Sequence, residues 1–562
     1  MFQSAVLIDG GAEKMSLGQY DAIVVGSGPS GAFAARTLTA QGLNVVLLEA
    51  GPRVSQDDLD KRIHVRQTPV NIMERAMATL RGQARQARTT FFNGRLRDFY
   101  VNDRKNPYTT PSDAPFLWSR GRQMGGRSHM FGRVLLRWSD DDFKSASLHD
   151  SGVDWPLSYA DIAPYYDEVE AVMNLYGQTD NIPTLPDGRY AHKARLTPAE
   201  QQFKADVEAR WPERKVVPWR YVAAAAAPER AFRPLVEAAA SGRLTIRYNT
   251  IVRRVLTNAA GTRATGVEVV DRLSHQPETI NAQGVFLCAS PIETIRVMLN
   301  SKSAAHPGGI GNGHDQVGRY FMDQLPMVAM GAYPKGRGSV TADDAPEDAF
   351  YRPSGGIFIP RFAGADGRAT SDYDYQGSVG RGPAGPDDPA RISFFGFGIM
   401  QPDADNRVTL NPRRKDAWGV PAAHIRCKMG EQDRQTLTAQ IATLTEIMQA
   451  AGVDIEFTGS PMGLKEYGRG AYPNEDLISR TLFRMFFTKA MIMGAAIHET
   501  GGARMGTDEA SSVVNADSQV WGIPNLYIGD ASVFASSGTT GTTLTIMALA
   551  ARAGRHFAGQ MG

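Results

Sequence analysis

Cysteine is scarce in this chain. Its 562 residues include two, Cys288 and Cys427, which excludes a disulfide framework and any four-cysteine zinc or iron–sulfur site. Both stand in apolar surroundings and read as buried, unreactive thiols. An excess of one charge is lacking as well: 61 Lys and Arg against 59 Asp and Glu leave a net charge of +2. Nothing electrostatic therefore favours nucleic acid or an anionic membrane as a partner. The basic stretch Arg81–Lys105 has no interleaved aromatics and reads as a solvated face. No apolar run reaches the roughly 18 residues a membrane span needs, and no metal site is expected. The first residues, MFQSAVLIDGGAEK, lack a basic segment ahead of a long apolar one and do not read as a signal peptide. The expected location is the cytoplasm, with export alongside a signal-bearing partner left open.

What remains is an ordinary globular composition, 42% hydrophobic and 21% charged, on a chain too long for one simple core. Two domains, interleaved along the chain, are expected. The most informative stretch is residues 21–51, DAIVVGSGPSGAFAARTLTAQGLNVVLLEAG. An apolar run meets Gly26, Gly28 and Gly31 in the spacing G-x-G-x-x-G. A helical pattern follows, then a second apolar run ending on Glu49. Each part has a task in holding a dinucleotide. Gly26 permits the tight turn, Gly28 lets backbone approach a pyrophosphate, and Gly31 lets the helix lie close on the strand. The helix N-terminus offers N–H groups and a positive dipole end to phosphate. Glu49 suits ribose hydroxyls and argues against a 2′-phosphate.

Further along, Ser158 can cap an amphipathic helix over 158–176, with Ile162, Tyr165, Tyr166, Val169 and Val172 at helical spacing. Residues 4–8 read as an edge strand and 75–86 as a helix. Strands are expected at 244–248, 266–270 and 284–288, with a helix over 291–299 after the last. Residues 335–390, rich in Gly, Pro, Asp and Arg, read as a mobile lid or a disordered loop. Strands at 394–400 and 407–410 and a helix over 434–451 follow. Near the end, Asn525–Ile528 reads as a short strand turning at Gly529-Asp530. A helix over 543–557 points its N-terminus at that turn, an arrangement suited to a flavin that becomes anionic on reduction.

The long motifs carry a resemblance. The chain resembles the glucose–methanol–choline (GMC) oxidoreductases, FAD-dependent alcohol oxidases and dehydrogenases, over nearly all of its length. The fingerprint ends in LLEAG. Gly125-Gly126-Arg-Ser-His-Met-Phe-Gly132 is similar to the family's flavin loop. His498 with Gly502, Arg504, Met505 and Gly506 is similar to its C-terminal histidine motif, and Asn525-Leu with Asp530-Ala-Ser532 to the stretch over the flavin. RWSDDDFK, GVDWPLSYADIAPYYDEVE and HETGGARMG resemble a bacterial sugar branch that includes glucoside 3-dehydrogenases and glycoside and pyranose oxidases.

The resemblance implies an α/β chain, α+β overall. A Rossmann-type FAD-binding domain (17–155, 231–320 and 491–562) is interleaved with a substrate domain (156–230 and 321–490) on a mostly antiparallel sheet with helices. It implies oxidation of a secondary hydroxyl of a sugar or glycoside (a C-3 or C-2 type position) to a ketone. His498 is the expected base, its neutral imidazole suited by an ordinary pKa near ~6.5. The implied cofactor-binding set is Gly26, Gly28, Ser30, Gly31, Glu49, Ala50, Arg122, Gly125, Gly126, Ser128, His129, Met130, Val252, Ala289, Asp530, Ala531, Thr542 and Thr543. For Arg122, Arg127 and Arg133 a surface position is as good a reading as phosphate contact. His64, His149 and His556 read as histidines that are solvent-exposed or satisfied by a neighbour.

Three departures stand out. Where the family places an Asn or His as second catalytic residue, this chain has Gly541, within Gly541-Thr-Thr-Leu-Thr545. Thr540, Thr542 or a water is then expected to supply the missing contact. Otherwise the pocket is opened for a bulky substrate, or alcohol oxidation is slow. Met130 occupies the position from which some relatives attach FAD covalently, so non-covalent FAD is expected, with a link through neighbouring His129 left open. Gln324, in GRYFMDQ, stands where many relatives carry histidine and reads as structural. The cysteine cluster of some bacterial relatives is replaced by YVAAAAAPERAF, so electrons are expected to pass to oxygen, a soluble or quinone-like acceptor, or a partner redox protein. Alternative readings are oxidation of a non-sugar alcohol such as an aminocyclitol or natural product, and a flavoprotein with lyase-like or no net redox activity.

Overall fold

The computed structural model describes residues 20–55, 58, 72–90, 92, 94, 96–130, 132–149, 152–222, 233–338, 355–382, 384–468 and 477–561. The expected strand at 4–8, His64 and most of the alanine-rich 221–232 stretch lie outside these residues.

A five-stranded parallel sheet is assembled from distant parts of the chain. Its order is Leu526–Ile528, Gly284–Leu287, Ala22–Val25, Val45–Leu48 and Leu244–Arg247. The four runs AIVV, VVLL, GVFL and LYI are buried throughout, as strands covered on both faces must be. The helices Pro29–Ala40 and Thr543–Met561 pack on each other beside this sheet. The contact is close because Gly554 has no side chain: a Cβ there would stand 3.2 Å from Thr37 Cγ2.

The glycine fingerprint works as its spacing predicts. Gly26 has φ +99°, and a Cβ on it would lie 2.6 Å from the Cys288 carbonyl oxygen. A Cβ at Gly31 would lie 1.9 Å from the Gly26 carbonyl oxygen, so helix and strand meet at backbone distance. Gly28 faces open space, with nothing within 4 Å of a built Cβ.

The second sheet has seven strands, all antiparallel. In order they are Gly463–Glu466, Asp454–Ser460, Leu325–Arg337, Pro389–Gly398, Tyr373–Val379, Ile357–Ile359 and Val217–Pro218. The helix Glu431–Ala450 covers one face through Leu437, Leu444, Ile447 and Met448. A three-stranded meander, Thr250–Thr257, Ala264–Asp271 and Pro277–Asn281, lies beside the parallel sheet.

Several expectations need correction. The stretch read as a lid or disordered loop, 335–390, contributes strands Ile357–Ile359 and Tyr373–Val379 and the start of Pro389–Gly398. Its glycines serve close packing: a Cβ at Gly377 would stand 2.3 Å from the Ser393 carbonyl oxygen. The helix expected over 75–86 spans Ile72–Leu80. The strands Thr250–Thr257 and Asp454–Ser460 and the helices Pro198–Arg210 and Leu477–Ala490 were not anticipated. The helix at 158 runs Tyr159–Met173, with a reciprocal Ser158–Asp161 capping box. Both cysteines are buried, and burial pushes their thiols above the usual range. Among the described residues no helix is long and apolar enough to cross a membrane, and no group of three or more His, Cys, Asp or Glu could hold a metal.

The two fingerprint glycines should separate cleanly. Gly31→Ala forces a Cβ into a carbonyl oxygen and is expected to lower stability by about 1–3 kcal/mol or more. Gly28→Ala meets nothing and should stay within about 0.5 kcal/mol of the parent. Thermal unfolding of both variants checks this.

Candidate active site

Two glycine loops face each other at the carboxyl ends of the parallel strands, where open α/β sheets bind ligands. A Cβ built on Gly126 would lie 3.6 Å from the Gly28 Cα. Ser27 ties the loops: its hydroxyl accepts from the Gly125 N–H at 2.9 Å and donates to Glu49 Oε2 at 2.5 Å. Gly125 and Gly126 have φ of +81° and +54°, which opens the turn, and Ser128 Oγ closes it by donating to the Gly125 carbonyl at 2.7 Å. Glu49 also accepts from the Gly51 N–H at 2.8 Å. Burial raises its carboxyl above the usual range against the pull of those donors.

The remaining expected cofactor residues line this region or support it. Ser30 and Gly31 form the first turn of Pro29–Ala40, whose N-terminus carries no side-chain cap. Val252 is buried on the meander strand Thr250–Thr257, Ala50 packs against Ile251 and Val270 of the same meander, and the Ala289 N–H donates to Thr294 Oγ1 at 3.3 Å. Asp530 Oδ2 accepts from Thr294 Oγ1, and its Oδ1 from the Ser532 N–H at 3.0 Å. Thr543 begins the helix that ends at Met561. His129 is turned inward: its ring stacks on Phe99 at 4.5 Å and its Nε2 bonds the Met124 carbonyl at 2.8 Å. Met130 is buried beside it.

Of the three arginines, Arg122 and Arg127 are half-buried and Arg133 is buried. Arg122 donates to Glu293 at 2.8 Å, and its Nη1 is buried with no partner among the described residues. Arg127 pairs with Glu499 at 2.5 Å and donates to the Ile497 carbonyl at 3.3 Å. Two of the histidines read as exposed or satisfied by a neighbour have such a neighbour: His149 bonds Asp141 at 2.7 Å and His556 bonds the Tyr527 hydroxyl at 3.0 Å.

His498 is fixed from three sides. Segment 500–505 is zipped to 531–533, with N–H donors of Gly501, Ala503 and Met505 on the carbonyls of Ala531, Ser532 and Val533 at 2.9, 2.9 and 2.8 Å. Met322 and Thr500 exchange two backbone bonds of 2.9 Å. Asp323 accepts from the backbone N–H groups of His498 at 3.0 Å and Gly494 at 2.8 Å. The residue before the histidine, Ile497, has φ +61°, a costly setting for a β-branched side chain that persists only where neighbours enforce it. His498 Nδ1 lies 2.6 Å from Gln324 Oε1, and Phe397 covers the ring at 4.8 Å between centroids.

Gly541 stands across the ring. A Cβ built there would be 3.9 Å from both Cε1 and Nε2 of His498 and 3.7 Å from the Val134 carbonyl oxygen. That is ordinary contact, at a backbone setting any residue can adopt. Beside it, Thr540 Oγ1 is buried with no hydrogen-bond partner among the described residues. Thr542 is buried as well.

Electrostatics follow from enclosure. Burial first, and the Arg127 guanidinium second, push the His498 imidazole down to about 3, so the ring is neutral at neutral pH. Burial and the neighbouring Glu499 carboxylate raise Asp323 to about 7, against three backbone N–H donors. Sequence reasoning took Gln324 as merely structural and missed Asp323, Glu499 and Phe397. Glu499 lies inside the HETGG string. Phe397 carries no sequence signal, because only the sheet brings it to the histidine.

These features fit a dinucleotide: an uncapped helix N-terminus behind Gly28, open space above that glycine, a buried acid after the second strand and an unpartnered Arg122 nitrogen. Comparisons with known proteins agree. The family model for GMC oxidoreductases matches residues 20–325 with its N-terminal part and 402–550 with its C-terminal part. A 2-methyl-1,2-propanediol dehydrogenase of Mycolicibacterium austroafricanum is 26% identical, over 96% of this chain and 95% of that protein. A C-glycoside 3-oxidase of Microbacterium trichothecenolyticum is 24% identical, over 97% of each. The crystal structure of pyridoxine 4-oxidase from Mesorbium loti superposes with a TM-score of 0.62 at 17% identity, covering 96% of this chain and 99% of that one.

The depressed imidazole has a consequence for acid stability. Below the unfolded pKa of ~6.5 the unfolded chain binds a proton that folded His498 refuses until about 3, so this residue lowers stability progressively as pH falls through that window. At pH 5 the effect is at most about 2 kcal/mol, less to the extent that water reaches the ring edge. His498→Asn should flatten the loss of stability between pH 6.5 and 4, measured by denaturant unfolding.

Proposed function

The chain belongs to the GMC oxidoreductase family, FAD-binding enzymes that act on alcohol groups, and on that premise we propose that it oxidises a secondary hydroxyl of a sugar or glycoside to a ketone. The observation that carries this reading is the His498–Gly541 pair: a neutral imidazole faces an open wall 3.9 Å from a built Cβ, at the mouth of a dinucleotide cradle. FAD bound in that cradle supplies the acceptor for a hydride from the carbinol carbon. His498 Nε2 takes the hydroxyl proton as the hydride departs. Because burial keeps the ring unprotonated at neutral pH, its Nε2 lone pair is available for that proton.

Gly26, Gly28, Ser30, Gly31 and Glu49 hold the ADP half in this proposal. Gly125, Gly126, Ser128, Asp530, Ala531 and the Thr542–Thr543 backbone lie along the flavin, and Arg122 serves the phosphates. His129 is committed to Phe99 and Met124, which supports non-covalent FAD. The segments carrying the parallel sheet form the cofactor domain, divided at 155, 230, 320 and 490 from those carrying the antiparallel sheet, which walls the substrate. The Thr540 hydroxyl, uncommitted elsewhere, replaces the polar side chain missing at Gly541.

A second reading, oxidation of a non-sugar alcohol, is favoured by the same notch and by the 26% identical propanediol dehydrogenase.

Anaerobic mixing of the FAD-loaded protein with sugars, glycosides, cyclitols and short diols decides between them. Bleaching of the flavin band by a glycoside is expected, and bleaching by diols alone would move the substrate outside the sugars. His498→Ala should retain FAD yet reduce it several orders of magnitude more slowly; a near-normal rate overturns the assignment of the base. Gly541→Asn should add a donor worth about 2.7–4 kcal/mol to the transition state and speed oxidation of small alcohols, or block a bulky native substrate. Unchanged kinetics on both would remove Gly541 from the site.

A further inference from the structure

Gln324 is wholly buried, and every hydrogen-bonding atom of its side chain has a partner. Its Nε2 faces the carbonyl oxygens of Ser537, Gly538 and Thr540 at 3.0, 3.1 and 2.9 Å. Carbonyl oxygens only accept, so the terminus that faces these three is the NH2, whose two hydrogens they share, and not the oxygen. The amide therefore has one orientation, with Oε1 directed at His498 Nδ1, 2.6 Å away. An amide oxygen only accepts, so Nδ1 must carry the hydrogen of the neutral ring. Nε2, on the Gly541 side, keeps its lone pair.

From this arrangement we infer that Gln324 is a positioning residue that locks His498 in the Nδ1–H tautomer and ties the base to the 537–541 loop opposite it. The lock is set by loop carbonyls two shells from the reacting atoms. Neutral Gln achieves it without adding a negative charge beside the ring, and so leaves the imidazole hard to protonate. Asp323, its neighbour, holds the backbone N–H of the same histidine at 3.0 Å, so two consecutive residues fix both main chain and side chain of the base. The inference rests on the reading of His498 as the base, but its structural half does not.

The test uses FAD-loaded wild type, Gln324→Leu and Gln324→Glu. Protein labelled with 15N-histidine gives the ring-nitrogen resonances, with that of His498 identified by its loss in His498→Asn. Stopped-flow flavin reduction across pH 5–9 gives the rate and the half-saturating alcohol concentration. Wild type should show the Nδ1–H form. Gln324→Leu should lose it and reduce flavin about a hundredfold or more slowly, with half-saturation within about threefold. Gln324→Glu keeps an oxygen acceptor toward Nδ1 but turns its second oxygen on the three loop carbonyls, which hold it protonated as a donor. Nδ1–H should therefore persist, and the rate should stay within about tenfold of wild type. Persistence of the Nδ1–H form in Gln324→Leu, or wild-type rates in that variant, overturns the inference. So does loss of the Nδ1–H form in Gln324→Glu, which decides alone if the leucine variant does not fold. If no alcohol bleaches wild type while the tautomer still depends on Gln324, the functional reading fails and the positional lock stands.

Discussion

The site depends on one backbone interlock. The stretch carrying His498 is held between two segments far away in sequence, 322–324 on one side and 531–533 on the other, by main-chain hydrogen bonds of 2.8 to 2.9 Å and by the Asp323 carboxyl. Neither partner is local, and neither alone would hold Ile497 at φ +61°. Because both sheets contribute to the interlock, the position of the imidazole is set by the packing of the whole chain. The cofactor cradle sits on the parallel sheet and the Phe397 wall on the antiparallel one, so the relation between ring, wall and cradle is fixed once the interlock closes.

The same enclosure explains the electrostatics. Water-poor surroundings push each group toward its neutral form: the imidazole down, and Glu49, Asp323 and Asp530 up. Where charge is kept, it is paired. Arg127 meets Glu499, and Glu293 is held well below the usual carboxylate range among Arg122, Arg296 and Arg120. Pairing of this kind is weak evidence for stability, because desolvation opposes the Coulomb gain. Its effect here is on the field around the ring, where a nearby guanidinium adds to burial in keeping the imidazole unprotonated.

Gly541 leaves space beside the His498 ring without taking part in holding it, and in the proposed function that space bears on which substrates enter. Its wall is open at ordinary contact distance from the ring, and its backbone could carry a side chain without strain. The gap is therefore a feature of side-chain choice and not a demand of the fold, unlike Gly26 and Gly31, where carbonyl oxygens occupy the space a Cβ would take.

Much of the cradle was legible in the sequence, because it is built from local geometry. Strand, turn, helix and acid follow one another within 31 residues, and glycines at fixed spacing state where backbone must approach backbone. The His498 and Gly125–Gly126 motifs were legible through their resemblance to those of the family, not through local geometry. The antiparallel sheet was implied by that resemblance, but of its strands only the one at 394–400 was legible from the residues. Others are two to four residues long or carry glycines that resemble loop residues until a neighbouring strand is laid against them, as Gly377 is against Ser393. The sequence by itself determined the dinucleotide fold, and its family resemblance singled out His498 and Gly541. Only the tertiary structure decided that Gln324 faces that imidazole, that Phe397 covers it, and that Arg127 lies beside it. Those contacts join residues tens to hundreds of positions apart, and no local propensity encodes them.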